Sequence, residues 1–249
     1  MRMLNINEIY LGDCLDVMKD IDDKSVDMIL ADLPYGTTKC KWDSQIDLDK
    51  LWVQYNRIIK DHGVIVLFSQ TPFDKVLGSS NLKMLRYEWI WEKSQSTGHL
   101  NAKKMPMKSH ENLLVFYKKL PTFNPQKTFN HKRKISTAFH KRNTNTGEIY
   151  GKCDVFSDYD STERYPRSIQ LFPSDKQKLN LHSTQKPLSL CEYLIKTYTN
   201  ENDLVLDNVC GSGTTGVACS KLNRNFIMIE KDLTFFNTST ERLKKFPLE

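Results

Sequence analysis

A tetrapeptide near the amino terminus has the residue types needed to activate an amine attached to an aromatic ring. Asp32-Leu33-Pro34-Tyr35 follows the apolar run Val26 to Ala31, which predicts a buried strand. A carboxylate and a backbone carbonyl can accept both N–H bonds of such an amine and stabilise the positive charge that develops on alkylation. We predict these roles for Asp32 and the Leu33 carbonyl, with Pro34 holding the turn and Tyr35 stacking on the ring. A turn without catalytic function is the alternative.

The glycine-rich turn Gly211 to Gly216, near the carboxyl terminus, is placed as in sites that bind nucleotide-like ligands. It lies between a predicted strand, Leu204 to Asp207, and a predicted helix ending near Leu222. Glu230 ends the next predicted strand and could accept hydrogen bonds from both hydroxyls of a ribose. These features suit a dinucleotide or S-adenosylmethionine, but a carboxylate at Asp207 would repel a pyrophosphate and attract a cationic ligand. We predict S-adenosylmethionine contacts from Asp207, Gly211, Ser212, Gly213, Thr214, Thr215 and Glu230.

The elements around these motifs alternate between apolar runs and helical spacing, which indicates an α/β fold. One predicted helix begins near Leu48 and ends at His62-Gly63, and another follows Pro187. Aromatic and β-branched residues place two of the predicted strands, Tyr87 to Trp91 and Leu113 to Tyr117, at a sheet edge. The remaining predictions are strands at Val64 to Ser69 and Phe226 to Glu230 and a last helix from Asp232.

Hydrophobic periodicity is lost between the two halves of this pattern. Residues 121–181 are too polar and too long for an ordinary connection, so we interpret them as an inserted recognition segment between catalytic (1–120) and cofactor-binding (182–249) halves. Between Pro121 and Asn143 there are six Lys or Arg and no acid, a local excess that suggests a polyanion partner. Taken alone, the stretch would more often be a solvated basic loop. We assign contacts with nucleic-acid phosphates to Lys132, Arg133, Lys134, Lys141 and Arg142.

Composition restricts the class of protein. The longest apolar run, Val64 to Phe68, is too short to cross a bilayer, and acidic residues near the start argue against a signal peptide. Six cysteines lack the short paired spacing of zinc sites or disulfide frameworks, so we predict reduced thiols and no metal. We expect a cytoplasmic protein without a membrane partner.

The order of the two motifs gives a family resemblance that covers essentially the whole chain. The chain resembles the β-group of DNA amino-methyltransferases, a circularly permuted arrangement in which an Asp-Pro-Pro-Tyr motif precedes the glycine motif. The stretches Gly12-Asp13-Cys14 and Ser183-Thr184-Gln185-Lys186-Pro187 are similar to that family as well. The chain departs from the family pattern at Leu33 and Asn208, where prolines are commoner.

The resemblance implies a Rossmann-like methyltransferase fold with a mixed, mostly parallel sheet of seven strands. It places Asp13 and Cys14 at the adenine ring of S-adenosylmethionine and Lys186 at its methionine carboxylate. A helix N-cap is the alternative for Asp13, and a solvated side chain is the alternative for Lys186. The implied reaction is methylation of N6 of a flipped-out adenine at a specific site in double-stranded DNA. A homodimer and a cognate restriction endonuclease are further implied partners.

Several other functions compete with this interpretation. The family more often has Ser than Asp at the first motif position when the target is N4 of cytosine, so Asp32 favours adenine. Methylation at C5 of cytosine requires a cysteine nucleophile within a Pro-Cys pair, and no cysteine here follows a proline. A protein or RNA substrate and a catalytically silent DNA-binding subunit stay open, although both motifs are intact. A dehydrogenase would leave the tetrapeptide unexplained.

Overall fold

The computed structural model of the protein describes residues 4–36, 45–137, 159–174 and 185–246. Its contacts divide the chain into two compact units. The larger unit comprises Met1–Asn124 and Ser168–Glu249, and the smaller unit comprises Pro125–Arg167.

The larger unit is built on an eight-stranded sheet. The strands are β1 (Glu8–Leu11), β2 (Val26–Ala31), β3 (Ile59–Ser69), β4 (Leu85–Thr97), β5 (Lys108–Phe116), β8 (Ile169–Phe172), β9 (Leu204–Asp207) and β10 (Asn225–Glu230). Their order in the sheet is β1-β10-β9-β2-β3-β5-β4-β8. The five strands from β1 to β3 in this order are parallel, β5 is antiparallel to both of its neighbours, and β8 is parallel to β4. The sheet is therefore mixed and mostly parallel.

Six α-helices in the described residues of the larger unit accompany the sheet. They are α1 (Cys14–Val17), α2 (Leu48–Ile58), α3 (Phe73–Ser80), α4 (Leu188–Tyr198), α5 (Thr214–Lys221) and α6 (Leu233–Leu243). Short 3₁₀ turns follow at Met18–Asp20 and His99–Asn101. Asp47 and Asp232 cap the N-termini of α2 and α6 with their carboxylates, as their residue type favours. None of these helices is long and apolar enough to cross a membrane.

The central strands are apolar on both faces because helices cover both sides of the sheet. Alternate residues of β2 supply two separate cores: Ile29 joins one cluster, and Met28 and Leu30 join the other. The first cluster includes buried residues of α2 and α3, and the second includes those of α4 and α5. This three-layer packing fixes the carboxyl ends of β2 and β9.

Most predicted elements agree with the structure, and the exceptions have local causes. The strands at Val26–Ala31 and Leu204–Asp207 are confirmed without change. The predicted helix end at His62-Gly63 is wrong: α2 ends at Ile58, because Ile59 already pairs with Val26 as the first residue of β3.

The predicted sheet edge and strand count are also wrong. β5 lies between β3 and β4, and β8 covers the far side of β4. The indoles of Trp89 and Trp91 are buried there and donate to the Tyr198 hydroxyl and the Phe172 carbonyl. The sheet has eight strands and not the seven that the resemblance implies: the six strands predicted from the sequence are present, and β1 and β8, two short strands with weak periodicity, extend its two ends.

The smaller unit lies within the segment predicted to recognise the target. In its described residues, β6 (Lys134–Ser136) and β7 (Tyr159–Ser161) form an antiparallel pair, and an isolated bridge joins Thr128 to Arg164. The domain boundaries and the recognition role of 121–181 stay predictions.

Candidate active site

The two motifs open at the same edge of the sheet. β2 and β9 are neighbouring parallel strands with Ile29 opposite Leu206, so their carboxyl ends point the same way. The tetrapeptide that starts at Asp32 follows β2, and the glycine turn follows Asp207 at the end of β9. Asp32 is near enough for its charge to contribute to a raised pKa of the Asp207 carboxyl. Ligands of open α/β sheets bind at such strand ends.

Both carboxylate oxygens of Asp32 have polar partners. The Tyr35 hydroxyl donates to Oδ1 at 2.8 Å, and the Lys186 ammonium lies 2.7 Å from Oδ2. Burial raises the pKa of the Asp32 carboxyl, and the charge of Lys186 opposes that rise. A quarter of the Asp32 side chain is exposed, so an entering group can still reach it.

Lys186 connects Asp32 to a second, unpredicted carboxylate. Its ammonium lies 3.0 Å from Oε2 of Glu111 on β5, and the Lys93 ammonium on β4 lies 2.6 Å from Oε1 of the same residue. Burial opposes ionisation of Glu111, but the charges of Lys186 and Lys93 outweigh it and lower the pKa of Glu111 to about 2. We call these four residues, Asp32, Lys186, Glu111 and Lys93, the charge chain.

The other tetrapeptide residues occupy distinct environments. The ring of Tyr35 stacks on Phe73 with centroids 5.0 Å apart, and the Lys186 ammonium lies 6.0 Å from the centroid of the Tyr35 ring. The Leu33 side chain is buried in the core, so leucine adds packing where the family more often has proline. The role assigned to Leu33 uses its backbone carbonyl, which does not depend on the side chain.

Asp207 and Glu230 are both oriented by neighbouring hydrogen bonds. The Thr215 hydroxyl donates to Asp207 at 2.6 Å and the Val209 N–H donates to it at 3.2 Å. Burial nevertheless raises the pKa of Asp207 to about 7. The Glu230 oxygens accept the N–H groups of Gly211 and Asp232, each at 2.8 Å.

The glycine turn provides space on one side and tight packing on the other. Gly211 and Gly213 have φ of +52° and +75°, values that L side chains rarely adopt. A Cβ on Gly211 would meet nothing within 4 Å, whereas one on Gly213 would lie 2.9 Å from Cβ of Ser239. The side of Gly211 is therefore open to a ligand.

Two other residues of the turn, Ser212 and Thr214, form hydrogen bonds with a helix near the end of the chain. The buried guanidinium of Arg242 donates to the Ser212 carbonyl and the Thr214 hydroxyl oxygen, both at 3.0 Å. This contact joins the turn to α6. The predicted cofactor contacts of Ser212 and Thr214 stay predictions.

At position 208 the family more often has proline, and in this chain Asn208 makes a contact with a distant part of the sequence. Its side-chain carbonyl accepts the buried Tyr55 hydroxyl at 2.6 Å, which connects the turn to α2.

Asp13 caps α1 through the Leu15 N–H at 3.0 Å and lies 3.1 Å from the Lys231 ammonium. A capping role for Asp13 is therefore present, and its predicted contact with the cofactor stays a prediction, as does that of Cys14.

The chemistry of this site fits S-adenosylmethionine. The open side of Gly211 gives the ligand access to the backbone, and each Glu230 oxygen keeps lone pairs that ribose hydroxyls can use. The Asp207 carboxylate suits a cation. Next to Lys186, the buried amide of Gln185 has no hydrogen-bond partner among the described residues, which leaves a donor and an acceptor for a polar ligand.

Three of the residues predicted to bind DNA lie in the described part of the smaller unit. Lys132, Arg133 and Lys134 are exposed, and Arg133 makes a two-point contact with Asp160, with Nε 2.7 Å from Oδ1. Lys141 and Arg142 lie outside the described residues. Acids from later in the chain thus offset part of the basic run, and its DNA contacts stay predictions.

Sequence reasoning missed the buried partners of the predicted site, namely Glu111, Lys93, Tyr55 and Arg242. The only sequence signal for Glu111 is an acid two residues before the apolar run that begins at Leu113. In the described residues no cluster of His, Cys, Asp and Glu could hold a metal ion, and the four described cysteines are free thiols.

Known proteins with similar sequences and folds include several DNA methyltransferases. The model of a DNA methylase family of N6- and N4-methyltransferases matches residues 26–241. Type II methyltransferase M1.MboII of Moraxella bovis is 30% identical over 256 residues, covering 94% of this chain and 95% of its own length. The DNA adenine methyltransferase YhdJ of Escherichia coli strain K12 is 27% identical over 250 residues, covering 94% and 82%.

A solved structure gives the same result at the level of the fold. The complex of M1.HpyAVI with SAM, which is S-adenosylmethionine, has a TM-score of 0.64 and 26% identity, covering 95% of this chain and 98% of that one. The predicted Rossmann-like methyltransferase fold is confirmed, and S-adenosylmethionine is the methyl donor of the family. The β-group permutation stays a prediction. Because the family model spans most of the sequence, this chain belongs to the DNA methylase family and is a DNA methyltransferase.

Proposed function

We propose that the protein transfers a methyl group from S-adenosylmethionine to N6 of adenine within a short, specific sequence of double-stranded DNA. The observation that carries this proposal is the placement of Asp32 and the glycine turn after two neighbouring parallel strands. An amine bound at Asp32 and a methyl donor bound at the turn would then share one crevice.

In the proposed mechanism Asp32 and the Leu33 carbonyl each accept one N–H bond of the target amine. These contacts favour a tetrahedral nitrogen and stabilise its developing positive charge. The cofactor supplies a sulfonium-bound methyl group that is already activated for displacement. The amine lone pair forms the new N–C bond as the C–S bond breaks, sulfur keeps the electron pair, and the amine then loses one proton to solvent.

The remaining site residues hold the two substrates. Glu230 binds the ribose hydroxyls, Asp207 favours the cationic donor, and the third N–H of Lys186 is available for the methionine carboxylate. Opening the duplex costs a few kcal/mol, and stacking on Tyr35 returns roughly 1–3 kcal/mol. The hydrogen bonds at Asp32 and Leu33 must therefore supply the rest of the binding energy for the flipped base.

Adenine is favoured over cytosine by the aspartate at the first motif position and by similarity to a named adenine methyltransferase. N4 of cytosine is the second candidate, since the matched family includes both reactions.

The smaller unit, with exposed Lys132 and Lys134, would contact the DNA backbone. In this function the protein would act in the cytoplasm, where the chromosome lies. A homodimer and a cognate restriction endonuclease remain predictions.

Single-molecule sequencing of DNA from cells that express the chain tests this proposal, with cells expressing Asp32→Ala as the control. We expect N6-methyladenine in one short sequence in the first sample and none in the second. N4-methylcytosine in its place would overturn the choice of base. Unmodified DNA from cells with a folded, soluble wild-type protein would overturn the assignment to DNA.

A further inference from the structure

Lys186 poses a problem for a catalytic role of Asp32. Its ammonium lies 2.7 Å from Oδ2 of Asp32, on the carboxylate that should hold the target amine, and the amine becomes positively charged during methyl transfer. Two cations on one buried carboxylate repel each other and weaken the stabilisation that Asp32 can give. Lys186 must therefore have another partner while the amine reacts.

Glu111 has the position and the charge to be that partner. Lys186 is 3.0 Å from Glu111 and 2.7 Å from Asp32, so a small side-chain movement transfers it between the two carboxylates. The side chains of Lys186 and Glu111 are only 11% and 8% exposed, so water cannot easily replace either partner. Lys93, 2.6 Å away and 9% exposed, holds Glu111 in place from its other side.

We propose that Glu111 is a positioning residue for methyl transfer, which takes over Lys186 from Asp32 as the target amine binds. This inference rests on the proposed role of Asp32. Lys186 keeps its proton throughout, and only its hydrogen-bond partner changes. Glu111 acts through Lys186 and does not touch the base.

The competing explanation is that Glu111 and Lys93 form a buried ion pair that only joins β4 to β5. Removing one member of such a pair leaves an uncompensated charge and can unfold the protein. Two variants are therefore needed. Glu111→Gln removes the carboxylate alone, and Glu111→Gln with Lys93→Met also removes the stranded charge. Glu88→Gln, an exposed position on β4, is the matched control.

Single-turnover methyl transfer, cofactor affinity and thermal melting are measured on these proteins. We expect the single-turnover rate of both Glu111 variants to fall between about tenfold and 10²-fold, less than the roughly 10²–10³ that loss of a directly acting group costs. Cofactor affinity should be unchanged, and the double variant should recover the melting temperature without recovering the rate. Glu88→Gln should match the wild type.

The pH profile separates positioning from a structural role. Removing the negative charge of Glu111 leaves Lys186 on Asp32, which lowers the pKa of Asp32 and moves the acid limb of the rate profile to lower pH. The other titratable or charged groups that influence Asp32 are unchanged: these are Lys186, Tyr35, Asp207 and Cys191. Loss of the Glu111 charge lowers the pKa of Asp32 whether or not Glu111 repositions Lys186, so the discriminating quantity is the rate on the plateau above the acid limb. A positioning Glu111 gives a lower plateau in the double variant, and a purely structural Glu111 gives the wild-type plateau.

A double variant with the wild-type plateau rate, or a slow one with weakened cofactor binding, would overturn the inference. Asp32→Ala is assayed beside these proteins. An active Asp32→Ala protein would refute the proposed function itself. An inactive Asp32→Ala protein beside a fully active Glu111 variant would refute only the role of Glu111.

Discussion

Asp207→Asn should separate the binding role of this carboxylate from its cost to stability. Burial raises the pKa of Asp207 to about 7, so the free protein carries a mixture of charged and neutral Asp207 near neutral pH. Only the charged form favours a cationic ligand. Asparagine keeps the shape, and it can accept the Val209 N–H and donate to the Thr215 hydroxyl oxygen.

The magnitude follows from the pKa. If the ionised form alone binds, the fraction of competent protein rises about tenfold between pH 6 and pH 8, and the apparent cofactor affinity rises with it. A contact to a charged group contributes about 1.5–3 kcal/mol, so Asp207→Asn should bind roughly ten to 10² times more weakly at pH 8. Its ratio to the wild type should shrink toward pH 6.

Stability should change in the opposite direction. A carboxyl whose pKa is raised in the folded state stabilises the protein at low pH, and that contribution is lost as the pH rises through about 7. Asp207→Asn avoids this loss and should melt at a higher temperature than the wild type at pH 8, with a smaller gain at pH 5 and little gain below about pH 4, where the unfolded chain also keeps this proton. Sites that bind charged ligands commonly trade stability for function in this way.

Calorimetric titration of S-adenosylmethionine at pH 6, 7 and 8, with melting of the free proteins in the same buffers, measures both effects. Titration of the ligand itself affects both proteins equally and cancels in their ratio. An affinity ratio that does not change with pH, together with an unchanged melting temperature at pH 8, would refute the proposed role of Asp207.

Two further predictions concern the cofactor and the DNA. Glu230→Ala should weaken cofactor binding by at least tenfold, because a contact to a charged group is worth about 1.5–3 kcal/mol; unchanged affinity in calorimetry would remove Glu230 from the ribose site. Neutralising Lys132 and Lys134 together should reduce the slope of log affinity against log salt by about 2, with cofactor affinity intact. Arg133→Ala should have less effect because Asp160 already pairs with it, and equal slopes for all variants would contradict phosphate contact.

The elements that could be predicted correctly from the sequence are those whose secondary structure is determined by their own residues and close neighbours. Val26–Ala31 is a continuous apolar run beside a turn motif, and its limits agree with the structure. The predicted end of α2 was wrong because Ile59 continues the helical spacing in the sequence, whereas in the structure it pairs with Val26 in a strand. β8 was missed because its residues alternate between half-buried and exposed, and Ile169 and Leu171 are left partly exposed.

In the candidate site, too, short motifs could be recognised in the sequence, whereas contacts between distant residues could not. The tetrapeptide and the glycine turn are short motifs, and adjacency of β2 and β9 follows from ordinary α/β topology. The charge chain is different, because Glu111 and Lys186 are distant in sequence and meet only through tertiary packing. No local pattern identifies a strand glutamate as the partner of a lysine in a distant segment.

The most direct test of the account is methyl transfer by Asp32→Ala, measured with a tritiated donor beside cofactor titration and thermal melting. Asp22→Ala, at an exposed position, is the matched control. Loss of one preorganised group typically costs on the order of 10²–10³ in rate, so Asp32→Ala should fall at least that far while its cofactor affinity stays near that of the control. Lys186 keeps Glu111 as a partner in this variant, so the protein should stay folded at the assay temperature. Turnover above about a tenth of wild type, far more than loss of such a group should leave, would contradict Asp32 as the acceptor of the target amine.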